Sequence, residues 1–302
     1  MGKSIRPKIK KTVYMSNHNQ ILTDIVKKLE VTDDLKKTDT ILLWNDVVGV
    51  YESLAKMGKM MGKRVITVQH GRRAGSRYFK PFHKEIISDK LCVWGERDKQ
   101  RLVDAGHPSE KIVVTGSPIL QCIKPRKKHE GINVVFSPEH WDHDVDENTE
   151  VAEVLAKMKG INLVTKIIIG HDAKKYINTV YSDRNAEGHL AKCVEVLQTA
   201  DIVVCISEST FELIAEAMDI PVVIADIWRP KPCNGDDRYL VYQRPISEAC
   251  ARSSLESLEA TIRLHLKNPD LLKKERKFVV EQEGGISIKD PVKKIIEVIC
   301  TT

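Results

Sequence analysis

Histidine, aspartate, serine and glycine recur in this chain immediately after short β-branched runs, where a parallel sheet would present them to a ligand. After ILLW come Asn45 and Asp46, and after RVITVQ come His70, Gly71, Arg72 and Arg73. An imidazole and a carboxylate at such places can act as general base and acid, and a glycine lets backbone approach a sugar or phosphate closely. Arg72 and Arg73 beside that glycine give the corner the character of an anion-binding surface. Later in the chain Ser137 and His140 follow one run and His171 another, and Ser207, Glu208, Ser209, Thr210 and Glu212 lie where a run gives way to a helical pattern. Hydroxyls and unpaired backbone N–H groups at a helix start make a seat for phosphate. The spacing S-T-F-E also predicts an ordinary capping box with Glu212 as the partner, and a capped helix start can still receive an anion.

The elements that would position these residues follow from periodicity. Short apolar runs alternate with amphipathic stretches of about ten to fifteen residues, the pattern of repeated βα units building parallel sheets. Strands are expected at Thr12 to Met15, Thr40 to Trp44, Arg64 to Gln69, Leu91 to Trp94 and Lys111 to Thr115, with helices over 20–30, 46–61 and 96–106. A second series has strands at Asn133 to Ser137, Leu163 to Ile169, Asn178 to Tyr181, Asp201 to Ile206 and Pro221 to Ala225, and helices over 147–159, 187–199 and 209–219. Helical segments over 254–267, 269–281 and 290–300 close the chain. The polar, basic stretch between the two series, with two prolines and no apolar period, predicts a boundary. The expected domains are therefore 1–120, a linker at 121–131, and 132–302. Two parallel-sheet lobes would bind ligand beyond the carboxyl ends of their strands.

Composition narrows the class. At 302 residues, with 42% hydrophobic and 30% charged residues, the chain is long enough for two compact cores. Its longest apolar runs fall far short of the ~20 residues that span a bilayer, and its basic start is followed by no apolar stretch, so a soluble cytoplasmic protein with no transmembrane segment is expected. Seven cysteines without a C-x-x-C pair support neither a disulfide framework nor a zinc knuckle. His140 and His143 with Asp142, Asp144 and Asp146 have no fixed ligand geometry, and a solvated acidic loop is expected there in place of a metal site. The net charge of +6 suits a phosphorylated ligand; with aromatics at 5% and none interleaved in the basic elements, nucleic acid is the weaker alternative.

In order and spacing, residues 38 to 300 resemble the two-lobed GT-B nucleotide-sugar enzymes, especially the UDP-N-acetylglucosamine 2-epimerases and the CDP-glycerol glycerophosphotransferase family. The resemblance is carried by LLWNDVVGVYESLAKMGKMMGKRVITVQHGRRAG, KIVVTGSPIL, DIVVCISESTFELIAEAMDIPVVIADIWRPK and GGISIKDPVKKIIEVI. It implies two Rossmann-like parallel-sheet lobes facing across a cleft. Asp46 falls where the epimerases carry a catalytic Asp, while their glutamate in the glycine-rich corner is replaced here by Gln69 or His70. The transferases carry a His-Gly turn in the first lobe and a strand-end His in the second, matched by His70-Gly71 and His171.

The resemblance thus implies a metal-independent transferase that moves a sugar, or glycerol phosphate, from a UDP- or CDP-linked donor to an acceptor hydroxyl in glycan or polysaccharide synthesis. His70 would be the base, with Asp46 the other catalytic candidate. Ser137, His140, His171, Ser207 to Thr210 and Glu212 would lie on the nucleotide and phosphate side, and Gly71, Arg72 and Arg73 on the acceptor side. No permanently bound cofactor is expected. The partners are the donor and a glycan, lipid-linked or, less favoured, nucleic-acid acceptor, with a homodimer allowed. The alternative activity is a UDP-sugar 2-epimerase or hydrolase in which Asp46 is essential.

Overall fold

The computed structural model describes residues 12–15, 29–32, 34–44, 49–72, 86–138, 145–168, 178–182, 189–206, 209–227 and 247–301. The chain divides into two compact units, one formed by Met1–His70, Pro81–Pro118 and Ser287–Thr302, the other by Gly71–Lys80 and Ile119–Ile286.

The first unit holds a sheet of β1 (Thr12–Met15), β2 (Glu30–Val31), β3 (Thr40–Leu43), β4 (Arg64–Val68), β5 (Lys90–Val93) and β6 (Ile112–Val114). Its order is β2-β1-β3-β4-β5-β6, and every pairing is parallel. Strand β3 is buried along its whole length, as a parallel strand covered on both faces must be. Helix α1 (Gly49–Met60) lays Leu54 and Ala55 on Ile41, Leu43 and Val65. Helix α2 (Glu96–Asp104) sends Leu102 into a second cluster with Ile86, Leu91, Val93 and Ile112.

The second unit holds β7 (Asn133–Ser137), β8 (Asn162–Ile168), β9 (Thr179–Ser182), β10 (Ile202–Cys205), β11 (Val222–Ala225) and β12 (Cys250–Ser253) in the order β12-β11-β10-β7-β8-β9, again all parallel. Around it lie α3 (Val145–Lys157), α4 (His189–Leu197), α5 (Thr210–Ala217), α6 (Leu258–Lys267) and α7 (Lys273–Gly284). Phe136, Val151, Leu155, Val204, Val223 and Ile262 belong to its main apolar cluster. Both sheets are parallel, as expected from the alternating pattern, and both are open and doubly wound. In the second sheet successive strands run outward from β7 on one side and from β10 on the other, so its topological switch point lies between these two.

Three differences from the sequence reading have physical causes. The last helix, α8 (Pro291–Cys300), groups with the first unit. The Arg64 guanidinium donates to the carbonyls of Val298 at 2.7 Å and Ile299 at 2.8 Å, satisfying acceptors that a helix end leaves open. Gly116, at φ +80°, lies so close to Ile288 and Pro291 that a Cβ there would meet them at 2.9 and 3.0 Å. Strands β2 and β12 have no alternating signature, being an edge pair of two residues and an edge strand reading CARS. Residues 254–257 stay outside α6, where the Ser253 hydroxyl bonds those of Ser257 and Thr261, each at 3.0 Å. Of the expected helix at 20–30, all but its last two residues lie outside the described residues.

The basic stretch after Gln121 lies along the second unit. Lys127 N–H donates to the Gln198 carbonyl at 2.7 Å, the Gln198 amide to the Pro125 carbonyl at 2.9 Å, and the Arg126 guanidinium to the Ala200 carbonyl at 2.6 Å.

Candidate functional site

In the first unit the described chemistry gathers at the carboxyl ends of β3, β4 and β5. These strands are neighbours, so Trp44, Gln69 with His70, and Trp94 emerge at one edge of the sheet. His70 Nδ1 lies 3.0 Å from the Trp44 carbonyl oxygen. A carbonyl can only accept, so Nδ1 carries the hydrogen in this bond and Nε2 is the nitrogen left to exchange a proton. The imidazole also stands edge-on to the Trp44 indole, centroids 4.4 Å apart at 76°, and that indole packs in turn on Tyr51 of α1 at 4.7 Å.

Gln69, which carried no role in the sequence reading, is almost completely buried and bonded on every side. Its Nε2 donates to Asp98 Oδ2 at 2.6 Å and its Oε1 accepts from Trp94 N–H at 2.9 Å. Its carbonyl accepts from the Trp94 indole N–H at 3.0 Å, and its own N–H donates to the Cys92 carbonyl at 2.9 Å. Asp98 sits in the first turn of α2, where the helix dipole favours a carboxylate.

In the second unit the switch point brings together residues expected on the phosphate side. Ser137, the last residue of β7, pairs in register with Cys205, the last of β10, and the chain then reaches Ser209 and Thr210 at the start of α5. The S-T-F-E capping box is formed: Ser209 Oγ accepts from Phe211 N–H at 3.1 Å, Glu212 accepts from Ser209 N–H at 2.5 Å, and the Ser209 hydroxyl also bonds the Glu212 carboxyl. Burial pushes the Glu212 carboxyl above the ordinary glutamate range, opposed by the Ser209 hydrogen bond and by the charges of Lys166 and Arg72. Lys166 is itself buried and places its ammonium 5.0 Å from the Phe211 ring centroid.

Gly71 and Arg72, read from sequence as acceptor-side residues of the first lobe, group with the second unit. The Arg72 guanidinium does not form an anion-binding corner; it is buried between two carboxylates, with Nε 2.8 Å from Glu283 and Nη1 3.2 Å from Glu216. Its backbone N–H donates to Thr210 Oγ1 at 3.0 Å, and Gly71 comes so near that a Cβ would lie 3.1 Å from the same oxygen. Burial raises the Glu216 carboxyl, with the Arg72 charge opposing, and the Cys250 thiol donates to Glu216 at 3.2 Å. The signal for this cluster was present in the sequence: α5 reads TFELIAEA, and acidic residues four apart in an otherwise apolar helix must find buried partners.

Asp46, Arg73, His140, His171, Ser207 and Glu208 lie outside the described residues, as does the stretch from Asp142 to Asp144. Among the described residues no group of three or more His, Cys, Asp and Glu side chains is placed to hold a metal. Among them, too, no helix is long and apolar enough to cross a membrane.

No family model matches the chain. No curated protein matches it. Among solved structures it is similar to the UDP-GlcNAc 2-epimerase from Neisseria meningitidis bound to UDP-GlcNAc, at 12% identity over 96% of this chain and 99% of that one, with a TM-score of 0.61. It is similar to the wall teichoic acid polymerase TagF at 11% identity over 97% of this chain and 88% of that one, TM-score 0.61. A glycosyltransferase from Rickettsia africae aligns at 12% identity over 95% of this chain and 88% of that one, TM-score 0.54. At such identities the likeness is one of fold: the two parallel-sheet units of this chain share the fold of these structures, the GT-B fold expected from the sequence.

Proposed function

We propose that the chain is a metal-independent transferase that moves a sugar, or alternatively glycerol phosphate, from a UDP- or CDP-linked donor to an acceptor hydroxyl. The observation that carries the reading is the Trp44 carbonyl holding His70 Nδ1–H, which leaves Nε2 as the nitrogen to exchange a proton at a strand end where substrates of such sheets bind. His70 takes the acceptor hydroxyl proton as the new bond forms at the donor. The bond to the nucleotide breaks, releasing a nucleoside diphosphate for sugar transfer or a monophosphate for glycerol phosphate.

The first unit takes the acceptor and the second the donor. The leaving phosphate sits at the start of α5, where Ser209, Thr210 and the helix dipole favour negative charge; Ser137, paired with Cys205 at the end of the neighbouring strand, and Lys166, 5.0 Å from the Phe211 ring, are the further candidates. By their place in the sequence, His140, His171, Ser207 and Glu208 are proposed to serve the same donor. This seat supplies the charge stabilisation that other transferases take from a metal. Solved neighbours whose names include a wall teichoic acid polymerase and a glycosyltransferase support transfer. The reading places it in cytoplasmic glycan or polysaccharide synthesis, with a glycan or lipid-linked acceptor.

The Neisseria neighbour, bound to UDP-GlcNAc, favours a second reading, a UDP-sugar 2-epimerase or hydrolase with Asp46 as the essential group. The test is donor consumption by the wild type, His70→Gln and Asp46→Asn over UDP- and CDP-linked donors. Transfer predicts turnover in the wild type and a loss of about 10²–10⁴-fold in His70→Gln, with the smaller loss in Asp46→Asn. Full activity in His70→Gln with none in Asp46→Asn would favour the second reading. No consumption of any donor would end both.

A further inference from the structure

We propose that Gln69 and Asp98 are positioning residues for His70, forming a clamp whose donor and acceptor pattern sets the geometry of that imidazole. The inference rests on the reading of His70 as the base, and it concerns two buried residues.

Gln69 immediately precedes His70 at the end of β4. Its amide joins two groups of opposite demand: Asp98 accepts at 2.6 Å, and Trp94 N–H donates at 2.9 Å. Only an amide in one orientation serves both, because a carboxylate cannot donate and a backbone N–H cannot accept. The peptide leading into His70 is held as well, by the Trp94 indole N–H on the Gln69 carbonyl. From the other flank the Trp44 carbonyl holds Nδ1. Thus the backbone of residue 69 is fixed from the β5 side and the imidazole of residue 70 from the β3 side. A hydrogen bond between buried groups in a low-dielectric setting holds such geometry firmly when fully satisfied, and fails as a unit when one partner is wrong.

The pattern can be broken and restored without changing side-chain size. Gln69→Glu sets a second carboxylate 2.6 Å from Asp98, which also faces the Arg101 guanidinium at 3.6 Å, and two carboxylates so close hold together only while they share a proton. At about pH 5 one of them holds a proton and can remake the bond; at about pH 8 the clamp opens. In Gln69→Glu/Asp98→Asn the donor and acceptor exchange places: the amide now at position 98 donates, while the carboxylate now at position 69 accepts both from it and from Trp94 N–H.

The experiment reads the His70 imidazole nitrogens by NMR in the full chain, assigned by their loss in His70→Gln, together with thermal unfolding and donor turnover. Expected are a wild-type signature with the hydrogen on Nδ1, and a changed tautomer balance in Gln69→Glu at pH 8 with the fold retained. The wild-type signature should return at pH 5 and in the double variant. Turnover, where the wild type shows it, should fall roughly a hundredfold in Gln69→Glu at pH 8 and recover in the double variant. A folded Gln69→Glu with the wild-type signature at pH 8 overturns the proposal. Should Gln69→Glu fail to fold, the double variant decides, and a shifted signature in it overturns the proposal equally. If the signature follows the clamp but no donor is consumed even by the wild type, the clamp stands and the transferase reading falls.

Discussion

Arg72 and Glu283, 211 residues apart in sequence, meet at 2.8 Å inside the second unit, and Glu216 shares the same guanidinium at 3.2 Å. All three side chains are buried, and the two carboxylates share this cation. Arg72→Ala leaves both acids without it, and the expected cost is about 3–5 kcal/mol. Replacing the whole cluster by Arg72→Met, Glu216→Leu and Glu283→Leu removes the desolvation penalty along with the attraction, and is expected to be neutral or stabilising by about 1–4 kcal/mol. Urea unfolding of the two variants checks this. A triple variant no more stable than Arg72→Ala would show that the cluster contributes more than its charges.

Glu212 gives a pH dependence with a definite sign. Burial holds its carboxyl above the ordinary value of 4.5, so the folded chain binds that proton more tightly than the unfolded chain. Its contribution to stability is complete below that ordinary value and is lost as pH rises through the raised folded one. Glu212→Gln keeps an acceptor for the cap but cannot titrate. The stability of the wild type relative to Glu212→Gln should therefore fall as pH rises from about 4.5, with a limiting slope of about 1.4 kcal/mol per pH unit. Thermal unfolding of both proteins across pH reads the difference, and a constant gap would contradict the burial argument.

Gly62 and Gly116 separate two costs that glycine avoids. Both have positive φ, +68° and +80°, but a Cβ on Gly62 meets nothing within 4 Å, whereas one on Gly116 collides with Ile288 and Pro291. Gly62→Ala should cost only the left-handed backbone strain, about 1–2 kcal/mol. Gly116→Ala should add about 1–3 kcal/mol for overpacking against the start of α8. Denaturant midpoints of the two variants test this, and equal losses would mean that residues 287–302 are not packed there.

Much of the fold could be read from periodicity, because parallel strands such as Ile202–Cys205 are short, β-branched and buried on both faces, and the helices between them are amphipathic. Edge strands escaped that logic: Cys250–Ser253 is held by its pairing with β11 and not by an apolar pattern. The Ser209–Glu212 cap was legible because it is local. The destinations of Gln69 and Arg72 were not, since each depends on partners far along the chain, Asp98 for one and Glu216 with Glu283 for the other. Arg72 looked like a ligand for anions because sequence shows its charge but not the two buried acids that engage it.

Binding of a nucleotide-activated donor is the central claim. A thermal-shift screen of the full chain against UDP, CDP, GDP, TDP and their common sugar or glycerol conjugates measures it directly. A ligand at a hundred times its dissociation constant adds about 2.7 kcal/mol to stability. A clear upward shift with a UDP- or CDP-linked compound is the predicted result. No shift with any member of the panel would contradict the claim.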